Sequence, residues 1–218
     1  MCMGLRFHMG LRFPGLILGG LLAAGAATLG SSPSWAQHSP GHEWVQPPSD
    51  LPRAGRGEPT YSLDTLFSAL KIAPDESSAK AIEDRIWSVW LASGSDTCGL
   101  LMSRAKAAAD AKDYDLSIKL LNAIITIKPD YVEAWNRRAT VYYLMKDYGH
   151  ALADIREVLS KEPRHFGALS GLGLILQDIG DDKHALEAYR KALAIDPHLE
   201  HIPDVVKTLS EKVEGRDI

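Results

Sequence analysis

The C-terminal half of the chain repeats itself at a spacing of 34 residues, and this periodicity constrains the fold more than any other feature. Aspartate and proline both recur at this spacing in three consecutive units, and small residues fill two further columns. The four columns are Asp113, Asp147 and Asp181; Pro129, Pro163 and Pro197; Ser117, Ala151 and Ala185; and Ala105, Ala139 and Gly173. Such self-similarity is typical of stacked copies of one supersecondary unit.

The columns also predict what each unit contains. Aspartate is a preferred helix N-cap because its carboxylate accepts backbone N–H groups of the first turn, and proline stops a helix that precedes it. Small residues let two helix backbones approach closely. Asp130 and Glu133 are predicted to form a capping box at the head of the second unit. The predicted helices span residues 99–111 and 114–127, 132–145 and 148–161, and 166–179 and 182–195.

The units resemble the tetratricopeptide repeat, whose pattern is W-x2-L-G-x2-Y, then A-x3-F, then P. The middle unit supplies Trp135, Ala139, Tyr142, Tyr148, Ala151, Ile155, Val158 and Pro163. The third supplies Leu169, Leu172, Gly173, Leu176, Ala185, Tyr189, Ala192 and Pro197, and the first supplies Leu101, Ala105, Ala108, Ser117, Leu121, Ile124 and Pro129. The resemblance implies an all-α fold, a tetratricopeptide-type α-solenoid of antiparallel helix pairs stacked as a right-handed superhelix. The repeats are placed at residues 98–131, 132–165 and 166–199.

Helical segments flank the repeats on both sides. Residues 61–97 are predicted to form an N-terminal helical cap or a degenerate repeat, in which Trp87 and Trp90 lie one turn apart and cover the first repeat. Residues 200–218 are predicted to hold a C-terminal capping helix near 203–214, because a proline precedes apolar residues at helical spacing. Arrays of this kind need such caps to cover their terminal apolar faces.

The first 36 residues read as a secretory signal peptide. Two arginines precede an apolar run from Phe13 to Leu29, which ends in small residues and predicts cleavage after Ala36. An uncleaved anchor is the alternative. The start codon is open among Met1, Met3 and Met9. Residues 37–60 hold five prolines and three glycines in 24 residues, and they predict a disordered linker with too little apolar surface to offset its ordering entropy.

Charge and cysteine content narrow the class of protein. The formal net charge is −4, and removing the signal peptide takes away two arginines and no acids, which leaves −6. A mildly acidic chain is a poor general binder of nucleic acid. Cys98 would be the single cysteine of the mature chain, so an internal disulfide is excluded. It is predicted to be a buried, inert thiol, and an intermolecular bridge stays open.

No arrangement of residues predicts catalysis, a cofactor or a metal site. The GLG at residues 171–173 lacks the third glycine and the preceding strand of a dinucleotide-binding loop, so its glycines are interpreted as room for the neighbouring helix. Structural zinc usually needs four converging ligands. The sequence shows only pairs, His198 with His201 and His38 with His42, which are predicted to be solvated.

The remaining chemistry is recognition. In the family that the repeats resemble, the first helix of each unit lines a concave groove. Arg138 shares a helical stripe with the packing columns and is predicted to pack, with direct ligand contact as the alternative. Arg137 lies beyond a second stripe and is predicted at the groove rim, with a plain solvated arginine as the alternative. That second stripe and its equivalents in the other units complete the candidate partner-binding set: Met102, Lys106, Asn136, Arg137, Thr140, Tyr143, Ser170, Leu174 and Gln177.

The sequence therefore predicts an exported scaffold, periplasmic or secreted, that binds a protein or peptide segment without catalysis. The alternative is an envelope assembly factor held in the inner membrane by an uncleaved N-terminal helix, and an enzyme or metal carrier is the third reading. Some members of the family bind acidic chaperone tails with a clamp of Lys, Asn and Arg. Met102 and Ser170 stand where basic or amide groups would help such a clamp, which argues against that function here.

Overall fold

The computed structural model describes Trp44, Val45, Pro47 and residues 62–215, all within the unit formed by His38–Ile218. The predicted signal peptide at 1–36 lies outside the described residues, as do the cleavage site and most of the predicted linker at 37–60. His38 and His42 lie outside them as well. Within the described part of the chain, no helix is both long and apolar enough to cross a membrane.

Residues 62–215 form nine α-helices and no strand. The fold is thus all-α, as the sequence predicts. The helices are α1 Leu63–Lys71, α2 Glu76–Leu91, α3 Asp96–Asp110, α4 Tyr114–Ile127, α5 Val132–Leu144, α6 Tyr148–Lys161, α7 Phe166–Asp178, α8 Asp182–Ile195 and α9 Ile202–Val213.

The periodic aspartates and prolines mark helix boundaries as predicted. Asp113, Asp147 and Asp181 are the N-caps of α4, α6 and α8, and each side chain accepts a backbone N–H three residues further on at 3.1–3.3 Å. Each periodic proline lies two residues after the end of one of these helices. The second helix of every repeat is therefore fixed at both ends by the repeating columns.

Two details at helix N-termini differ from the prediction, the capping of α5 and the first residue of α3. The capping box of Asp130 and Glu133 is wrong, because Tyr131 is the N-cap of α5 and gives no side-chain cap bond. Glu133 is fully buried, and its carboxylate pairs with Arg137 at 2.7 Å. Helix α3 begins at Asp96, three residues before the predicted start, because Ser95 Oγ accepts the N–H of Cys98 and caps the helix there.

The helices pack as antiparallel pairs, α3 with α4, α5 with α6 and α7 with α8, and each pair contacts the next. The small-residue columns lie where the two helices of each pair meet. A Cβ on Gly173 would lie 2.7 Å from the ring of Tyr189, and Ser117 Oγ donates to the carbonyl of Ala105 at 2.9 Å. The C-terminal helix α9 packs on α8 and buries Ile202, Val205 and Leu209.

The N-terminal hairpin of α1 and α2 has packing partners that the sequence analysis does not predict. Trp90 stacks on the ring of His165 with centroids 4.0 Å apart, and Trp87 meets Phe166 edge to face at 5.2 Å. Both tryptophans therefore pack at the head of α7, in the third repeat, and the expectation that they cover the first repeat is wrong. The physical reason is the apolar cluster that α1 and α2 share with α7, α8 and α9.

Candidate functional site

The clearest binding feature is a place on α7 where a side chain from outside the repeats is seated. Trp44 belongs to the predicted linker, yet its side chain is only 4% exposed. A Cβ on Gly171 would lie 2.3 Å from the Trp44 ring, far closer than real Cβ atoms approach. A Cβ on Gly167, one turn earlier, would lie 3.2 Å from the carbonyl oxygen of Val45. Glycine at position 171 leaves the surface of α7 open for Trp44, and glycine at position 167 leaves room for Val45 and for the Trp87 ring, which would lie 2.7 Å from the same Cβ.

The surroundings of Trp44 are aromatic and aliphatic. The Tyr143 ring lies 5.7 Å from the Trp44 ring, tilted by 50°, a favoured geometry for aromatic pairs. Leu174 and Ile175 belong to the same buried cluster, which extends to Ala139, Ala151 and Ile155. We call the surface formed by Tyr143, Gly167, Gly171 and Leu174 the Trp44 groove.

The burial of Trp44 corrects the predicted linker. A buried tryptophan removes roughly 150–250 Å² from water, which contributes roughly 4–6 kcal/mol at about 25 cal/mol per Å² before ordering entropy is subtracted. Pro47 is also buried, and Val45 packs against the α7–α9 cluster. The expectation of a segment with nothing to bury therefore fails at residues 44, 45 and 47.

The fit of Trp44 is incomplete. Its indole Nε1–H is buried without a hydrogen-bond acceptor among the described residues. A buried donor that lacks its partner costs roughly 1–3 kcal/mol. Burial of the Trp44 ring therefore stabilises the contact with the groove, and burial of its unpaired N–H destabilises it.

The polar groups beside the groove are neutral or acidic. Burial raises the pKa of Tyr143, and the nearby carboxylate of Asp178 raises it further, so the phenol stays protonated at physiological pH. Asp178 also accepts a hydrogen bond from the hydroxyl of Tyr148 at 3.1 Å. This end of the groove offers aromatic surface and negative charge, which disfavours an acidic ligand there.

Asn136 and Arg137 belong to a buried polar cluster instead of the groove wall. Glu133 accepts from Arg137 Nε at 2.7 Å and from Asn136 Nδ2 at 3.0 Å. His165 completes the cluster. Its Nδ1 accepts the N–H of Ala168, so the ring proton sits on Nε2, which lies 3.3 Å from Glu133. Asn136 is 1% exposed, so its amide serves the fold and is covered from ligands.

The charges of this cluster decide the state of its carboxylate. Burial alone would raise the pKa of Glu133, but the guanidinium of Arg137 and the hydrogen bonds from His165 and Asn136 outweigh burial and lower it. Glu133 is therefore ionised, and Arg137 is its counterion. The side chain predicted for the groove rim is held inward by this pair.

Arg138 also has a structural partner. Its Nε and Nη2 donate to the two carboxylate oxygens of Asp154 at 2.8 and 2.7 Å, and its guanidinium lies over the Trp135 ring at 4.9 Å. It lines a separate pocket of about 340 Å³ between α4, α5 and α6, together with Tyr142 and His150. Because a buried carboxylate neutralises its charge, this pocket offers aromatic faces more than net positive charge.

The other predicted partner-binding residues differ in solvent exposure and do not form one surface. Leu174 and Ser170 are buried, and the hydroxyl of Ser170 donates to the carbonyl of Phe166. Thr140 donates to the carbonyl of Asn136, and Gln177 accepts from Tyr189. On α3, Met102 packs half-buried in the first-repeat cluster, and Lys106 is exposed and paired with Asp110 at 2.7 Å. Of the predicted set, Tyr143 and Leu174 come together around Trp44.

Across the described residues, no three His, Cys, Asp or Glu side chains converge as a metal site. Cys98 is buried, as predicted. Sequence reasoning missed Trp44 and Gly167, and it interpreted Gly171 as room for a neighbouring helix, where the structure seats the ring of Trp44. A usable signal exists, because a Trp-Val pair in a proline-rich stretch and glycines four residues apart on α7 both point to close approach.

Comparison with known proteins agrees with this geometry. Family models of the tetratricopeptide repeat match residues 132–165 and 166–199. A TPR repeat-containing protein of Rhizobium etli is 41% identical over 163 residues, which are 75% of this chain and 80% of the relative. Two fungal relatives, both small glutamine-rich tetratricopeptide proteins, are matched over only 28% of their own length.

Solved structures show the same architecture. The Sgt2 TPR domain from Aspergillus fumigatus is 26% identical, with a TM-score of 0.52 over 55% of this chain and 81% of that domain. The first TPR of Spaghetti (RPAP3), solved bound to the HSP90 peptide SRMEEVD, is 17% identical with a TM-score of 0.52 over 55% of this chain and 95% of that one.

The fold thus defines an α-solenoid of stacked helix hairpins, a class whose members generally act by binding other proteins. Within that class, the 41% identity to the Rhizobium etli protein, most of whose length is covered, decides the family. The chain belongs to the tetratricopeptide repeat family.

Proposed function

We propose that the protein is a non-catalytic scaffold that binds a segment of a partner protein in the Trp44 groove. One observation carries the proposal: the groove already buries an indole from a segment outside the repeats. A surface that receives a tryptophan beside Tyr143 and Gly171 has the depth and the apolar lining that aromatic anchors of a partner require. Tetratricopeptide proteins generally mediate protein–protein interaction, which supports the same conclusion.

The chemistry of the groove favours a neutral, apolar segment. Tyr143, Leu174 and two glycines line it, and Asp178 lies beside it. The peptide bound to the Spaghetti (RPAP3) domain is acidic. Lys106 is engaged by Asp110, and Arg137 is engaged by Glu133, so the residues that would attract an acidic tail are occupied. The proposed ligand therefore carries an aromatic and an aliphatic side chain and no cluster of acids.

Photo-crosslinking tests the location. A benzophenone amino acid at Tyr143 in the full chain, expressed in its native cells, should capture a partner on irradiation. Tyr142 is the matched control, because it is the next residue of α5 and instead stacks on His150 in the separate pocket. Capture from position 142 and not from 143 would place the partner in that other pocket and refute the proposed site.

The proposed location of the scaffold is outside the cytoplasm. The order of arginines, apolar run and small residues in the first 36 positions supports export with cleavage after Ala36. N-terminal sequencing of the protein from native cells should begin at Gln37. Recovery of the intact chain in the membrane fraction would favour the anchored envelope assembly factor in its place.

A further inference from the structure

We propose that Trp44 and Val45 act as a tethered ligand that occupies the Trp44 groove and competes with the partner for it. The proposal rests on the proposed function, since it assigns a competitor to the same surface. It also names the partner's chemistry, a segment in which an aromatic residue is followed by an aliphatic one. The protein is then self-inhibited until that segment displaces Trp44.

The seating of the segment supports this assignment. Trp44 lies against Gly171 and Val45 against Gly167, one turn nearer the start of α7. Residues 44 and 45 therefore run in the opposite direction to α7. Trp44 contacts side chains from α5 and α7, the first helices of two neighbouring repeats. A partner segment in the same place would bridge the same two repeats.

One feature makes the contact displaceable, and a second opposes its displacement. The Trp44 indole N–H is buried without an acceptor among the described residues, so the internal ligand makes fewer hydrogen bonds than it gives up to water. A partner residue whose ring lacks this group, or whose donor is satisfied, has the advantage. The tether opposes displacement of Trp44 by a partner, because a covalently linked ligand competes at an effective concentration on the order of millimolar.

The test uses a fluorescent peptide of this chain's own sequence, GHEWVQPPSD, which corresponds to residues 41–50. Fluorescence anisotropy measures its binding to the full chain and to the full-length variant Trp44→Ala. We expect Trp44→Ala to bind the peptide about tenfold or more tightly than the wild type, since the tethered competitor is removed. A peptide with alanine in place of tryptophan should bind neither protein.

A second substitution locates the binding. Adding Gly171→Ala to the Trp44→Ala chain puts a methyl group where the peptide indole must lie, so peptide binding should be lost. Gly99→Ala in the same background is the matched control. A Cβ there meets nothing within 4 Å, and binding should stay unchanged. Circular dichroism melts establish that each variant is folded.

Wild-type protein provides an independent readout if Trp44→Ala folds poorly. In protein labelled with 5-fluorotryptophan, the Trp44 resonance is identified by its loss in Trp44→Phe. Millimolar unlabelled peptide should move that resonance towards the position of a solvated indole. An unmoved resonance would overturn the proposal.

The outcomes separate the two proposals. Equal peptide binding by wild type and Trp44→Ala would overturn self-occupancy and leave the groove a binding site. Absence of binding by folded Trp44→Ala, or binding that survives Gly171→Ala, would overturn the tethered-ligand assignment. Partner capture from position 143 tests the proposed function independently, because it does not depend on the peptide.

Discussion

Glycines in the repeat helices differ in what an added methyl group would meet. Gly173 faces the ring of Tyr189 at 2.7 Å from an ideal Cβ, whereas Gly99 on α3 faces open space. Gly173→Ala should destabilise the fold by about 1–3 kcal/mol through overpacking. Gly99→Ala should stabilise it by up to about 1 kcal/mol through helix propensity. Urea unfolding of both variants measures the difference. Equal effects would mean that the Tyr189 ring moves to accommodate the added methyl group at no cost in stability.

The buried carboxylate of Glu133 predicts how stability depends on pH. Because its pKa is lower in the folded chain, the unfolded chain takes up a proton first as pH falls. The stability that this carboxylate provides is complete above the unfolded pKa of about 4.3 and is lost as pH falls through the folded value. Glu133→Gln should reduce stability by about 3–5 kcal/mol at pH 7 and by less at pH 3, measured by urea unfolding.

Glu83 provides a control of opposite sign. Burial raises its pKa, and the negative charge of Asp196 raises it further, so the folded chain takes up this proton first. Its contribution to stability is therefore present at low pH and is lost as pH rises through the folded pKa. Glu83→Gln keeps an acceptor for the Trp87 indole and should make the acid decline of stability steeper. A shallower decline in Glu83→Gln, or an unchanged one in Glu133→Gln, would contradict these assignments.

Individual residues were predictable where their role is local. Asp113, Asp147 and Asp181 cap helices as the repeat predicts, because a cap depends on the next three residues alone. The role of Glu133 was not predictable, because its burial depends on the next repeat, where His165 lies 32 positions away, although its counterion Arg137 is only four residues away. A capping box and a buried ion pair present the same short sequence, and only the tertiary environment distinguishes them.

At the scale of elements, the segment at residues 44–47 predicts an unequal pair of truncations. Removing residues 1–43 keeps Trp44, whereas removing residues 1–61 deletes it. The longer truncation should lower stability by about 1–3 kcal/mol more, since the burial of an indole is partly offset by its unpaired N–H. Thermal and urea melts of the two shortened proteins decide this. Melts that agree within error would support the prediction of a disordered linker with too little apolar surface to contribute to stability.

The elements themselves were largely predictable, and their long-range packing was not. Five of the six repeat helices begin where the spacing predicts, because caps and prolines repeat with the period. The 34-residue period does not predict which surface α2 or Trp44 packs against. Both are unique segments whose apolar residues, Trp87 and Trp90 among them, are compatible with several surfaces of a solenoid. Tyr143 and Leu174 belong to the predicted partner-binding set, and the burial of Trp44 beside them was not predicted.

In the molecule as a whole, the N-terminal hairpin connects distant parts of the chain. One buried cluster joins α1 and α2 to α7, α8 and α9, while another lies mainly in α3, α4 and the start of α5. In a simple repeat array, each repeat is stabilised only by contacts with its nearest neighbours. Trp90→Ala should therefore speed amide hydrogen exchange in α7–α9 more than in α3–α4, although α3 directly follows α2.

Leu100→Ala on α3 is the control for this experiment, because Leu100 is a large apolar side chain that is 56% exposed. It should leave exchange in α7–α9 unchanged. Mass spectrometry of peptic fragments gives the rates for each helix. A uniform acceleration by Trp90→Ala would indicate that the whole solenoid opens as one unit.

The return of α2 to the third repeat sets an order for biosynthesis. At ~5–20 residues per second, Trp90 leaves the ribosome several seconds before Phe166 and the rest of α7 exist. During this interval the α3–α4 hairpin has its own partners, while Trp87 and Trp90 lack Phe166 and Trp44 lacks Gly171. The nascent chain therefore displays apolar indole surface that α7 later covers, which is a natural contact for a holding chaperone. Synthesis of α7 ends that exposure, because α1 and α2 can bury their apolar side chains only once the third repeat has been made.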